Sequence, residues 1–128
     1  MIFRFRMLSD ENDNFLREYE VPYDMNLLSF HDFICSDLGY DKTAMSSFFT
    51  SDRQWDKLQE LTLMDVGGAD AKAQLPMEMV SLGRIRHDNN ESLIEVFDIF
   101  ADRARYLGLT ASVQRAAGVD YTRVTMGE

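Results

Sequence analysis

Apolar and polar residues alternate in two short segments near the start of the chain. In residues 2–8, Phe3, Phe5 and Met7 share one face while Arg4 and Arg6 share the other. This is the period of a half-buried strand. Residues 15–21 alternate in the same way, after a polar stretch over residues 9–14 that is rich in turn-forming side chains. The pattern predicts an antiparallel hairpin.

A helical period replaces the alternation after the second segment. Either Asp24 or Asn26 can accept a hydrogen bond from the free N–H groups that open a helix. Gly39 provides a stop, because glycine adopts the left-handed cap without a steric cost. The spacing therefore predicts one main helix between these positions. The apolar residues that carry the period are Leu27, Phe30, Ile34 and Leu38.

The remaining pattern is that of strands joined by turns. Short strands are predicted over residues 46–51 and 55–63, a mobile loop over 64–80, and an irregular tail over 114–128. Residues 93–101 are apolar on both faces, which is typical of a strand in the middle of a covered sheet. A second hairpin arm follows over residues 106–110.

The predicted elements together give an α+β fold with a single domain over residues 1–128. Their order along the chain is a hairpin, a helix, short strands and a second hairpin. We expect a mostly antiparallel sheet of about five strands with the main helix packed on one face.

The charge of the chain narrows the classes of partner. There are 22 acidic and 13 basic residues, so the formal net charge is −9, the wrong sign for a broad nucleic-acid interface.

No apolar stretch is long enough to span a bilayer, and the start of the chain lacks the apolar core of a secretory signal. The single cysteine, Cys35, predicts a buried reduced thiol. We expect a cytoplasmic protein, monomeric or weakly dimeric, with an unknown protein or peptide partner.

The titratable residues offer no recognisable catalytic set. His31 has no acidic partner at helical spacing, and the neighbours of Cys35 are apolar or acidic, which disfavours a reactive thiolate. The two histidines are far apart without a second ligand beside either, so we predict no metal site and no cofactor.

Four residues are candidates for contact with a partner or ligand. Asp98 interrupts an apolar strand, where a carboxylate needs a partner or a cleft, and Arg103, Arg105 and the Tyr106 hydroxyl can supply one. A structural ion pair is the favoured interpretation, and an active-site acid is the alternative. Trp55 follows a turn, and it is equally well read as an exposed anchor for a partner or as a cap on the core. The candidates are Trp55, Asp98, Arg103 and Tyr106.

Seven short segments, spread in order over nearly the whole chain, carry a resemblance to a known family. They are Phe3-Arg4-Phe5-Arg6 with Leu8-Ser9-Asp10-Glu11, Gly39-Tyr40-Asp41-Lys42, Met45-Ser46-Ser47-Phe48-Phe49, Asp52-Arg53-Gln54-Trp55, Leu61-Thr62-Leu63-Met64-Asp65 and Val96-Phe97-Asp98. Together they resemble the plasmid Ri open-reading-frame-three-like family, and within it the branch labelled as the TnpR-type passenger protein of an insertion element. The resemblance implies an α+β domain associated with mobile elements.

The label of that branch suggests a resolvase, which the residues do not support. A serine recombinase needs a nucleophilic serine, a surrounding arginine cluster and a basic helix-turn-helix, and this chain is too short and too acidic to supply them. We therefore expect a noncatalytic binding or protein-interaction domain. The alternatives are an enzyme that uses Asp98 with Arg103 or Tyr106 in a cleft and, as a weaker alternative, a nucleic-acid-binding accessory protein.

Overall fold

Eight strands form one sheet in the part of the chain that the structure, a computed structural model, describes. That part comprises residues 2–9, 11, 15–41, 46–52, 54–63, 74–85, 92–98, 103–113 and 122–127. The strands are β1 (Ile2–Ser9), β2 (Leu16–Pro22), β3 (Ser47–Ser51), β4 (Lys57–Thr62), β5 (Gln74–Pro76), β6 (Ser92–Asp98), β7 (Arg103–Val113) and β8 (Arg123–Gly127).

The order of the strands across the sheet is β5-β4-β3-β6-β7-β1-β2-β8. Every neighbouring pair is antiparallel except β4 with β5, which run parallel. An α+β fold with a mostly antiparallel sheet is therefore correct, whereas the expected number of about five strands is too low. The hairpin of β1 and β2 and the hairpin of β6 and β7 join through the long β1–β7 pairing.

One α-helix, α1 (Leu27–Leu38), packs on one face of the sheet. Of the two candidate caps, Asn26 caps it, since its side chain accepts a hydrogen bond from the Ser29 N–H at 2.8 Å. Gly39 ends the helix in the left-handed region at φ 77°. The predicted start and stop are both confirmed. The helix buries its apolar residues against side chains from the central strands, including Phe5, Tyr19, Phe48, Leu93 and Leu107.

Two predicted irregular segments contain regular structure. The expected loop over residues 64–80 includes β5 and a 3₁₀ helix, Met77–Met79, while residues 64–73 lie outside the described residues. The expected tail over residues 114–128 includes β8, which pairs with β2, and residues 114–121 lie outside the described part. Both strands are short and lie at the edges of the sheet. They therefore lack the long alternating pattern by which a strand is recognised in a sequence.

The two faces of the sheet differ in what they carry. The helix side holds the main core under α1. The second face holds a smaller apolar cluster formed by Ile94, Val96 and Ala104 with Phe49 and Tyr106. Strand β6 contributes to both faces, as its apolar pattern predicts, and it lies in the interior of the sheet. Within the described ranges, no helix combines the length and the apolar composition needed to cross a membrane.

Candidate functional site

A cavity of about 150 Å³ lies between α1 and the hairpin of β6 and β7. Three helix positions with i, i+3 and i+4 spacing face it, because residues so spaced share one side of a helix. The hairpin supplies the floor, and the segment after the helix supplies the rim. The lining residues are His31, Ile34 and Cys35 from the helix, Glu95, Phe97 and Arg105 from the hairpin, and Tyr40, Asp41 and Ser46 from the segment that follows the helix.

The floor of the cavity is a buried ion pair. Glu95 and Arg105 are directly opposite each other in the β6–β7 register, and Arg105 Nη1 donates to Glu95 Oε1 at 3.1 Å. Only 1% of Glu95 and 5% of Arg105 are exposed. Burial raises the pKa of Glu95 above its usual range, although the charge and the hydrogen bond of Arg105 act in the opposite direction. The pair therefore lies in a strongly desolvated environment.

Two aromatic rings cover the Arg105 guanidinium. Its central carbon lies 3.7 Å from the Phe97 ring centroid and 4.6 Å from that of Tyr40, distances at which a cation is attracted to a ring face. The two rings also contact each other, with centroids 5.6 Å apart. Because Tyr40 and Asp41 are exposed, the cavity reaches solvent beside them.

Ser46 contributes a polar group that the fold leaves unused. The residue is 6% exposed, and its Oγ has no hydrogen-bond partner in the described part of the chain. A buried hydroxyl without a partner costs free energy, so most native structures pair such groups. This hydroxyl belongs to a residue that lines the same cavity as Glu95 and Arg105.

His31 and Cys35 lie one helical turn apart, yet they do not form a nucleophile and a base. Cys35 Sγ is 3.8 Å from His31 Nε2 and 3.9 Å from Nδ1. Nearly equal distances to both nitrogens do not correspond to a hydrogen bond aimed at one of them. Burial, followed by the negative charge of Glu95, raises the pKa of Cys35 to about 11. The thiol is therefore protonated at neutral pH.

The described residues offer no metal site. No group of three or more histidine, cysteine, aspartate or glutamate side chains within the described ranges is placed to hold an ion.

Two of the four residues singled out in the sequence meet on the second face. The Trp55 and Tyr106 rings contact each other edge to face, with centroids 5.2 Å apart. Trp55 is 37% exposed and has a φ of 66°, in the left-handed region that side chains other than glycine, asparagine and aspartate seldom adopt. Its ring combines a structural contact with an exposed surface.

The other two residues lie across the hairpin from each other. Asp98 and Arg103 are paired in the strand register, while the Asp98 side chain is outside the described part. Arg103 forms a bidentate ion pair with Glu11, at distances from 2.9 to 3.2 Å, and its guanidinium carbon lies 4.8 Å from the Phe97 ring centroid. Phe97 faces the cavity, whereas Tyr106 belongs to the second face. Arg103 and Tyr106 are therefore on opposite sides of the sheet and do not share a cleft.

Neither Glu95 nor Ser46 is among the candidates that the sequence pattern indicates, and Arg105 is among them only as a partner for Asp98. The available signal was the position of Glu95 within the apolar run Leu93–Phe97. A charge in the middle of such a run requires a partner. The register that provides this partner depends on where the hairpin turns.

Comparison with known proteins supports the fold. No family model matches the chain. A search of curated proteins also finds no match. Among solved structures, the fold is similar to that of MM3350 from Methanosarcina mazei Go1, a protein of unknown function. The TM-score is 0.81 at 16% sequence identity, and the alignment covers 98% of this chain and 68% of that chain. At this identity, the likeness shows a shared fold and no more.

Proposed function

We propose that this chain is a noncatalytic binding domain whose site is the cavity between α1 and the β6–β7 hairpin. The observation that carries the proposal is the Ser46 hydroxyl, which is buried beside the cavity without a hydrogen-bond partner in the described residues. A ligand that hydrogen-bonds to this hydroxyl would remove its desolvation cost. The Glu95–Arg105 pair at the same cavity adds polar groups at fixed positions, and mostly apolar pockets with few polar groups are typical of small-molecule sites.

The chemistry of the cavity supports binding rather than catalysis. A nucleophilic cysteine needs a lowered pKa and a base that hydrogen-bonds to its sulfur. The pKa of Cys35 is instead raised. Its sulfur lies at nearly equal distances from the two nitrogens of His31, so neither is positioned as its base. The alternative enzyme, in which Asp98 acts with Arg103 or Tyr106, would have to use one of these two residues without the other, because they lie on opposite sides of the sheet; Arg103 also pairs with Glu11.

A fragment screen followed by NMR tests the proposal. Isotope-labelled protein is titrated with neutral, anionic and cationic fragments, and the backbone amide signals are followed. We expect at least one class of fragment to shift the signals of Cys35, Tyr40, Ser46 and Arg105 together. A screen in which no fragment shifts these signals would overturn the proposal.

Two substitutions at one position provide matched controls. Cys35→Met places a larger side chain against the cavity, and Cys35→Ala removes the sulfur and enlarges the cavity. Binding should weaken in the methionine variant and persist in the alanine variant. Equal binding by both variants would place the fragments elsewhere.

The cellular setting of the domain is a separate part of the proposal. The resemblance to the plasmid Ri open-reading-frame-three-like family supports an association with mobile elements, and the single buried cysteine supports a cytoplasmic location. A contact between Trp55 and a protein or peptide partner stays a prediction, supported by the exposed part of its ring.

A further inference from the structure

We infer that the cavity takes a small uncharged ring compound that carries a hydrogen-bonding group such as a carboxamide. This inference rests on the proposed function, because it names the class of ligand for the same site. Three features of the cavity carry it, which are its volume, the charge balance of its floor and the unused hydrogen-bonding capacity of its walls.

The volume sets the size of the ligand. The cavity measures about 150 Å³, and an engineered protein cavity of roughly 150 Å³ binds benzene. A single six-membered ring is therefore the appropriate scale, with space for a substituent toward the opening beside Tyr40 and Asp41. The walls formed by Ile34, Phe97 and Tyr40 provide the apolar contact that such a ring needs.

The charges at the floor favour a neutral ligand. Glu95 and Arg105 are hydrogen-bonded to each other and carry opposite charges, so the pair is already balanced. A ligand with a charge of its own would add a third, uncompensated charge to a desolvated site, which is costly. Asp41, at the opening, is exposed to solvent, so its carboxylate is screened and does not balance a charge at the floor. At the floor itself, an anion would face the Glu95 carboxylate and a cation would face the Arg105 guanidinium.

The unused polar groups require a ligand that both donates and accepts hydrogen bonds. The Ser46 hydroxyl can do both. It has no partner among the described residues and is closed off from solvent, so a ligand reaches it by displacing the side chains beside it. Arg105 has five N–H donors, and in the described part its side chain makes one hydrogen bond, to Glu95. A carboxamide combines a carbonyl acceptor with two N–H donors in one plane. It can therefore accept from Arg105 or Ser46 while it donates to Ser46 or to the Glu95 carboxylate.

Three compounds of nearly identical shape test the inference. Benzamide, benzoate and benzamidine share a ring and a planar substituent, and at pH 7 their charges are 0, −1 and +1. The three are titrated into the full chain by calorimetry, and NMR is used to locate the shifts. We expect benzamide to bind about tenfold more tightly than either charged compound.

A serine variant then tests the polar contact. Ser46→Ala should lower the affinity for benzamide about fivefold, while Ser36→Ala, at an exposed position of α1, should leave it unchanged. If the alanine variant fails to fold, Ser46→Cys preserves the shape with a much weaker donor and is expected to give the same loss. An affinity for benzamide that does not change in the Ser46 variants would contradict the assigned contact.

The remaining outcomes separate this inference from the proposed function. Tighter binding of benzoate or of benzamidine at the cavity would overturn the ligand class and leave the binding domain standing. If none of the three compounds binds but other fragments still shift the cavity signals, the ligand class is again overturned and the binding domain stands. No binding of any compound at the cavity would overturn both.

Discussion

Glu95 and Arg105 face each other across neighbouring strands, and their side chains form a 3.1 Å ion pair with almost no contact with solvent. Such pairs are inefficient stabilisers, because removing two charges from water costs about as much as their attraction returns. Apolar residues of similar volume at these two positions would give the folded protein about the same stability. The position of the pair at the floor of the cavity therefore fits a role in binding better than a role in stability.

The first prediction concerns the cost of breaking this pair. Glu95→Leu leaves Arg105 buried without its carboxylate and should lower the free energy of unfolding by about 3–5 kcal/mol. The double variant Glu95→Leu with Arg105→Met removes both charges and should recover most of that loss. Urea unfolding measures the stability of both variants.

An exposed ion pair supplies the control. Glu11→Gln breaks the pair with Arg103, in which both side chains are more than 40% exposed, and should leave the urea midpoint nearly unchanged. A double variant at positions 95 and 105 that is as unstable as the single variant would show that the pair is a net stabiliser.

The second prediction concerns the dependence of stability on pH. Because the pKa of Glu95 is raised in the folded state, the folded protein holds this proton more tightly than the unfolded chain does. The Glu95 carboxyl therefore makes its full contribution to stability below the unfolded pKa of about 4.3. That contribution is lost as the pH rises through the pKa of Glu95 in the folded protein. The wild type should therefore lose stability relative to Glu95→Gln as the pH increases from about 4, until the Glu95 carboxyl is fully ionised.

The comparison with Glu95→Gln removes the contributions of the other acids, because these are common to both proteins. They include Glu11, whose pKa is lowered by its hydrogen bonds with Arg103. A wild type that gains stability relative to the variant over this range would show that attraction to Arg105 outweighs burial.

The third prediction concerns the reactivity of Cys35. Its pKa rises from 9.0 to about 11, which lowers the thiolate fraction at neutral pH about a hundredfold. In the folded protein, alkylation should be at least that much slower than in guanidinium chloride. Mass spectrometry of samples quenched over time measures both rates. Equal rates in the two conditions would contradict both the burial and the raised pKa.

The fourth prediction concerns the backbone at Trp55. Its φ of 66° is unfavourable for residues with a Cβ, by roughly 1–2 kcal/mol. Trp55→Ala and Trp55→Gly both remove the contact with Tyr106, but only glycine relieves the backbone. The glycine variant should thus be more stable than the alanine variant by about 1 kcal/mol, the reverse of the usual order in regular structure. Thermal unfolding of the two variants checks this order.

Much of the fold follows from local pattern. Asn26 and Gly39 bound the helix because their chemistry suits the two helix ends, and the alternation of β1 fixes which side chains face the core. The order of strands is not a local property. The β3–β6 pairing joins Phe49 to Ile94 across 45 positions, and the strands at the edges are too short to give a periodic signal.

The residues of the site could not be predicted from the sequence for a related reason. The β6–β7 register pairs Leu93 with Leu107 and Glu95 with Arg105, and residues 99–102 lie outside the described residues. The sequence pattern also assigns Asp102, Arg103 and Ala104 to the connection between the two strands, and this is wrong for Arg103 and Ala104, which belong to β7. A connection at these residues would shift the pairing and conceal the ion pair. Ser46 gives no signal of its own, because the absence of a hydrogen-bond partner is a property of the tertiary structure.

A crystal structure of the protein grown with benzamide tests most directly whether the cavity under α1 is a binding site. We predict one ring in the cavity, in contact with Phe97 and Ile34, and a carboxamide within hydrogen-bond distance of Ser46 Oγ. A cavity closed by its own side chains, with Ser46 hydrogen-bonded to a neighbouring residue and benzamide absent, would contradict the account.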